Sequence, residues 1–388
     1  MIGLVKDTIS DTEMQRVAEW LCTSPRVTKG PLTVKFEKSW SEWQGCKYSV
    51  FVNSGSSANF LMVLALLQTS RLKNKTVIVP AVSWITTVSP LIQLGLDPIL
   101  CDCDSDDLGL DVDDFEKLCQ EHSPSAVILV HVLGHANKMK RIKEICERYD
   151  VLMLEDCCEA HGAMVDNEKV GNFGLMSTFS FYFGHHMSTI EGGMICTPDK
   201  ELYNLLVSLR SHGWVRDMEP DVKNDILQRY QVDDFQSAYF FVHPGMNVRS
   251  TDLNAFIGLM QLEKLDRTVE SRYRNYLLYY ELLSDVCHVQ NSTSAIVSSL
   301  ALGLLTPHRN IIAEELIKNQ VECRPLICGS LQRHPFWYEN YSLRSMPNAD
   351  RVHKHGLYIP CHQEMTEGDI QYVAGIIRNS ILEATDGR

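Results

Sequence analysis

The chain has 388 residues, 45% of them apolar and 22% charged, an ordinary balance for a globular protein long enough to split into two domains. A formal charge of -13 excludes a broad nucleic-acid or anionic-membrane footprint, because neither surface attracts an acidic chain, although a local basic pocket for one small anion is compatible with it. The stretch MIGLVKDTISD lacks signal-peptide architecture, no apolar run reaches the ~18 residues that span a bilayer, and thirteen scattered cysteines read as reduced thiols, so a cytoplasmic protein is expected.

From the N-terminus, Asp11 is expected to cap a helix to about Cys22, with a second helix over 34–43. Tyr48–Val52 reads as a short strand that runs into Ser54-Gly55-Ser56-Ser57, and the following FLMVLALL is too apolar for anything but a helix packed on a sheet. Strands at 76–80, 98–101, 126–130 and 151–154 alternate with helices at 85–94, 112–121 and 138–149, the spacing of right-handed crossovers and a mainly parallel sheet. A strand over 178–183 closes on a polar loop, GHHMSTIEGG. Then come a helix at 200–211, a loop-rich tract to about Pro244 and a helix at 251–265. A smaller α+β region follows, with strands at 296–300 and 321–324 and helices at 311–318 and 367–377. The expected division is a large domain over 1–263 and a small one over 264–388.

Small residues at 54–57, between strand and helix, let backbone N–H groups close on an anion, though a plain capped helix start explains them equally. Trp84 follows the strand at 76–80, where an indole either covers a flat ligand or packs in the core. Asp156 follows the apolar run at 151–154, a costly place for a carboxylate unless a cation or hydrogen bonds meet it. A protonated pyridine nitrogen is one such cation, and a helix N-cap is the alternative role.

Taken together, SGSSAN, the tryptophan after VPAVS, LEDCCEAHGA, FSFYFGHH…EGGM and PGMNVRSTDLNAFIGLMQLEKL resemble the pyridoxal-phosphate sugar aminotransferases of the DegT/DnrJ/EryC1/StrS type. The resemblance covers nearly the whole chain. It implies an α/β fold of the aspartate-aminotransferase type (PLP fold type I), with a mostly parallel sheet in the large domain, a smaller α+β C-terminal domain and a homodimer with shared active sites. By the same resemblance, Gly55, Ser56 and Ser180 are phosphate contacts, Trp84 stacks on the ring, Asp156 partners its nitrogen, Glu159 lies near it, and Asn247 reaches the neighbouring subunit's phosphate.

The chain departs from the family at one position. The family places a lysine five residues after the serine and six before Glu-Gly-Gly; counting from Ser180 or back from Glu191 reaches His185. An imidazole cannot bond covalently to the cofactor as that lysine does, but it can move a proton near neutral pH. Histidine here is shared by the family's sugar 3-dehydratases. The cysteines lack the grouping of the iron–sulfur branch, so no metal is expected and the cluster-free branch acting on a GDP-linked 4-keto-6-deoxymannose fits better. The implied reaction uses pyridoxal and pyridoxamine phosphate with L-glutamate to remove the sugar's C3 hydroxyl, releasing ammonia, with His185 and Asp156 catalytic and His212 and Arg324 on the substrate. Arg216, Arg249 and Arg333 are further diphosphate candidates, and His186 is secondary. A nucleotide-sugar aminotransferase and a non-catalytic cofactor-binding relative stay open at this point.

Overall fold

The computed structural model describes residues 1–385. Seven strands make the central sheet: β1 (Tyr48–Val52), β2 (Thr76–Pro80), β3 (Asp97–Cys101), β4 (Ala126–Val130), β5 (Leu152–Asp156), and, beyond the small hairpin of β6 (Met164–Val165) and β7 (Glu168–Lys169), β8 (Met176–Ser180) and β9 (Gly193–Thr197). Their order is β1-β9-β8-β5-β4-β2-β3. From β3 through β8 all neighbours are parallel, and β9 runs antiparallel to both β8 and β1. Parallel strands of this kind are covered on both faces, and accordingly β4 and β8 are buried along their whole length. The expected doubly covered α/β sheet is what forms.

The helix Gly55–Leu67 shows why the sequence folds this way. It buries residues on nearly every side, packing on β8 and β9 and under the helices Ile85–Gln93 and Lys200–Leu209. Each fully buried leucine there contributes roughly 2 kcal/mol of transfer free energy. A second sheet, of β10 (His288–Val289), β11 (Leu302–Leu305), β12 (Arg324–Pro325) and β13 (Gly356–Ile359) in the order β10-β11-β13-β12, is antiparallel throughout. The helices Leu265–Leu283, Arg309–Lys318 and Glu367–Thr385 pack with it into a separate apolar cluster. Ile2 bridges to Val321 and the Leu4 amide donates to Glu322, so the first residues lie against this second unit.

Several elements differ from expectation, each for a visible reason. The first helix is capped by Ser10, not Asp11, because Ser10 and Glu13 form a reciprocal capping box. β5 runs on through Asp156, while the Val151 amide is taken by the Cys146 carbonyl of the preceding helix end. β8 stops at Ser180, since the Phe181 amide already turns to the Gly192 carbonyl. The tract before Pro244 holds two helices, Pro220–Arg229 and Asp234–Ser237. No strand forms over 296–300: the carbonyls of Ser298, Ser299 and Leu300 are occupied by the side chains of His186 and Arg272, so the ladder starts at Leu302 instead.

Candidate active site

The C-terminal edge of the sheet gathers the predicted residues. Asp156, the last residue of β5, is 5% exposed. One carboxylate oxygen accepts from Asn59 Nδ2 (2.7 Å) and Thr87 Oγ1 (2.8 Å), the other from the Cys158 amide (3.1 Å). Asn59 is oriented in turn by Thr178 Oγ1 (2.6 Å) on β8. Three donors meet the oxygens of this carboxylate, which offsets part of the cost of burying it and fixes its orientation.

Beside it, Ser54 caps the helix Gly55–Leu67, accepting from the Ser57 amide at 3.0 Å. Gly55 stands so close to its neighbours that a Cβ there would come within 2.6 Å of Ser180 Cβ and 3.1 Å of Cys158 Sγ. Only glycine lets the turn settle against β8, bringing the helix N-terminus and the Ser180 hydroxyl to one spot suited to a phosphate. Ser56 Oγ donates to Thr86 Oγ1 (3.2 Å), which puts the turn after β2, with Trp84 56% exposed, alongside. A carboxylate held ready for a ring nitrogen, an anion cradle and an exposed indole fit pyridoxal phosphate. The lysines nearest in sequence are committed elsewhere: Lys169 to the Trp43 carbonyl and ring, Lys200 to Asp221.

The two histidines are sharply distinguished. His186 is 1% exposed, and its Nε2 lies 2.9 Å from the Ser298 carbonyl. His185 is only partly buried, faces the Cys158 backbone, and its Nδ1 has no protein partner. Burial, and after it the charge of Arg272, push His185 down to about 4, so its imidazole is neutral at physiological pH. Behind it sits His161, ring centroid 6.2 Å away, held well below the ordinary range by burial and then by His185 and Arg272. Neither His161 nor Arg272 was picked out from the sequence. HG within LEDCCEAHG was quoted for its pattern alone, and Arg272 has no motif around it.

Glu159 accepts from the Leu133 amide (2.8 Å), and burial, assisted by Asp156, raises it to about 7. Burial, and after it the charge of Glu159, raises the phenol of Tyr358 on β13, while Arg324, its partner in the strand ladder, opposes them. Arg324 is exposed and paired with Glu322 at 2.6 Å. His212 occupies a left-handed turn (φ 65°) with its ring 5.0 Å from Trp214. Over that indole lie Arg216 (4.2 Å) and Arg249 (5.9 Å); Arg216 Nε donates to one oxygen of Asp217 (3.4 Å), whose other oxygen is paired with Lys29. Arg249 bridges back to Val52, next to the Ser54 turn. Arg333, by contrast, is engaged by both oxygens of Asp350. Asn247 is exposed and makes no hydrogen bond to Asp156 or Ser180.

These buried imidazoles carry a stability consequence. His135 is pushed down to about 3, His185 and His362 to about 4, and His161 and His186 well below the ordinary value, all chiefly by burial. The folded chain keeps them uncharged where the unfolded chain would protonate them, so stability is present above about pH 6.5 and lost as pH falls through the window below it. Glu159 and Asp107, raised to about 7 and about 8, oppose this, but the histidines outnumber them. Each histidine contributes up to about 1.4 kcal/mol per pH unit in that window. The urea midpoint of the cofactor-free protein is expected to fall between about pH 7.5 and 5.5; a flat or rising midpoint contradicts the buried neutral cluster.

Comparison with known proteins adds names to this geometry. The family model described as the DegT/DnrJ/EryC1/StrS aminotransferase family matches residues 7–378. GDP-4-keto-6-deoxy-D-mannose 3-dehydratase of Yersinia pseudotuberculosis is 35% identical, over 97% of this chain and 98% of that protein. The crystal structure of E. coli GDP-4-keto-6-deoxy-D-mannose-3-dehydratase with bound hydrated PLP superposes with a TM-score of 0.89 at 32% identity, covering 97% of this chain and 99% of that one. A structure of GDP-4-keto-6-deoxymannose-3-dehydratase with a trapped PLP-glutamate geminal diamine gives 0.88 at 32% identity, over 97% and 100% of the two chains.

Proposed function

Because the chain belongs to the DegT/DnrJ/EryC1/StrS aminotransferase family, we propose that it is a pyridoxal-phosphate-dependent 3-dehydratase of a nucleotide sugar. Its substrates are then GDP-4-keto-6-deoxymannose and L-glutamate, and its products the 4-keto-3,6-dideoxy sugar, 2-oxoglutarate and ammonia. The observation that carries this reading is the half-buried His185, its Nδ1 without a protein partner, at the place where the family has its lysine.

When bound, the cofactor supplies an amino group taken from glutamate and a ring that draws electrons from the carbon bearing it. The chain's residues do the rest. Asp156, fixed by Asn59 and Thr87, holds a proton on the ring nitrogen. The Gly55–Ser56 turn and Ser180 take the phosphate, and Trp84 covers one face. His185 takes a proton on the cofactor side and gives one to the departing C3 hydroxyl, which leaves as water. Glu159, raised to about 7, stands beside Asp156 as a group able to donate a hydrogen bond to the cofactor. Because His185 replaces the lysine, no amine of the protein displaces the product, so the nitrogen leaves as ammonia by hydrolysis.

Arg249, which has no carboxylate partner among the described residues, and Arg216, held by a single long contact to Asp217 (3.4 Å), share an indole and suit a diphosphate better than Arg333, which both oxygens of Asp350 engage. His212 and Arg324 are kept as substrate contacts. A homodimer is part of the proposal, supported by the exposed aromatic side chains of Phe235 (92% exposed) and Tyr239 (74%) on one stretch of chain. Asn247 then serves the partner's phosphate. The proposal also keeps a division near residue 264 and a cytoplasmic setting, supported by thirteen free thiols. Among the described residues no helix is long and apolar enough to cross a membrane.

Purified protein given GDP-4-keto-6-deoxymannose and glutamate is expected to release ammonia and 2-oxoglutarate in equal amounts, with a product sugar lighter by one oxygen atom. An aminated sugar without ammonia would make it an aminotransferase, and no 2-oxoglutarate would make it a binding protein.

A further inference from the structure

Under His185 lie two buried imidazoles, His161 and His186, and one buried guanidinium, Arg272. The His161 ring is 5.1 Å from His186 and 6.2 Å from His185. Three consecutive carbonyls tie the group together: Ser298 meets His186 Nε2 (2.9 Å), and Ser299 and Leu300 receive Arg272 Nη1 (3.1 and 2.8 Å). Ser298 Oγ donates to the His161 carbonyl (2.5 Å), closing the knot. Arg272 is 1% exposed, and among the described residues no carboxylate pairs with it. Its Nε and Nη2, and both nitrogens of His161, have no protein partner. Cys361 and His362 are the other titratable groups against Arg272, while Tyr182 and the Cys158 backbone face His185.

A guanidinium buried without a counter-ion is costly, and a charge so placed acts on whatever titrates beside it. Burial lowers Arg272 only to about 10, so it stays charged at neutral pH. Its field disfavours a second positive charge on any of the three imidazoles. An imidazole that takes up a proton next to it becomes a stronger acid than usual and passes the proton on readily.

We propose that Arg272 is a positioning residue for proton transfer: anchored on the Ser299 and Leu300 carbonyls, it closes His161 and His186 to protons, so that the proton taken by His185 returns to the cleft instead of draining into the protein. This rests on the reading of His185 as the base of the dehydration. In that step His185 accepts one proton, the C3–oxygen bond breaks with its electron pair, and the same proton leaves with the oxygen as water.

The test compares the holoenzymes of Arg272→Gln and Arg272→Lys with wild type, following ammonia release from about pH 5 to 9. Lysine keeps the charge and glutamine removes it. For Arg272→Gln, the activity at about pH 5.5 relative to its own plateau is expected to drop by about threefold or more below the wild-type ratio, because His185 now protonates there. Arg272→Lys is expected to retain the wild-type profile. If both variants lose activity in parallel with unchanged profiles, Arg272 is only a strut and the proposal is wrong. Should Arg272→Gln fail to fold, histidine NMR on Arg272→Met against wild type and Arg272→Lys decides: with the charge gone, His161, His185 and His186 are expected to titrate about half a pH unit or more higher than in the two charged forms, and unchanged midpoints overturn the proposal. If wild type releases no ammonia, the dehydratase reading has failed, and the NMR comparison of charged and uncharged residues at 272 still judges Arg272 independently.

Discussion

Replacing His185 by asparagine is expected to abolish dehydration while leaving cofactor binding intact. Asparagine keeps a polar side chain of similar reach but cannot shuttle a proton, and the loss of a positioned general base costs on the order of 10²- to 10⁴-fold. Ammonia release should therefore fall by about 10³-fold, with pyridoxal phosphate still retained on gel filtration. The glutamate half-reaction, which also shifts a proton, should slow as well. His185→Lys is expected to lose dehydration by a different route: the new amine attaches to the cofactor, gives a yellow protein, and is trapped at residue 185 by borohydride. His186→Asn is the control. Its ring serves the Ser298 carbonyl inside the core, so it should lower stability more than rate. Normal dehydration by His185→Asn would remove the basis of the proposed mechanism.

Asp156→Asn is the second large effect. The substitution keeps the shape at the end of β5 but removes the charge that holds a proton on the ring nitrogen. The rates of both half-reactions are expected to drop by about 10²-fold or more. Stability should change far less. The asparagine oxygen can still accept from Asn59 and Thr87, while its amide then confronts the Cys158 N–H, a mismatch worth about 1–3 kcal/mol. Single-turnover measurements of each half-reaction, with a urea melt alongside, separate the two effects. Near-normal turnover in a folded variant would leave Asp156 a structural acceptor.

Much of this arrangement was legible because its causes are local. An apolar run ending in an acid places Asp156, small residues between strand and helix place the Ser54–Ser57 turn, and the family's spacing, carried over by resemblance, picks out residue 185. What stayed hidden depends on partners far along the chain. The helix Leu265–Leu283 was missed although it is the longest in its half of the molecule apart from Glu367–Thr385, which equals it. Its buried face includes Thr268, Arg272 and Asn275, so the apolar period that betrays most helices is broken by polar groups. The apolar stretch at 296–300 misled in the opposite sense: it has strand-like residues, but its carbonyls are claimed by side chains from two other elements. Arg272 lies in the first of these and holds the second, which is why neither its position nor its surroundings could be read from pattern.

The connection between β8 and β9 has a further bearing on how such proteins change their chemistry. It leaves and re-enters the sheet at the same end, and its two stems are stitched together, Phe181 amide to Gly192 carbonyl and Thr189 amide to Phe181 carbonyl, with Asn254 clamping Thr189 and Glu191 from the side. Gly193 is pressed so near the Ser54 turn that a Cβ would sit 2.3 Å from that carbonyl oxygen, which locks the loop's exit to the anion cradle. None of these contacts uses the side chain at 185. The reactive group is thus carried on a frame indifferent to its identity, and one codon can exchange a covalent anchor for a proton carrier without rebuilding the walls. Descent within such a lineage can alter what is made long before it alters what is held.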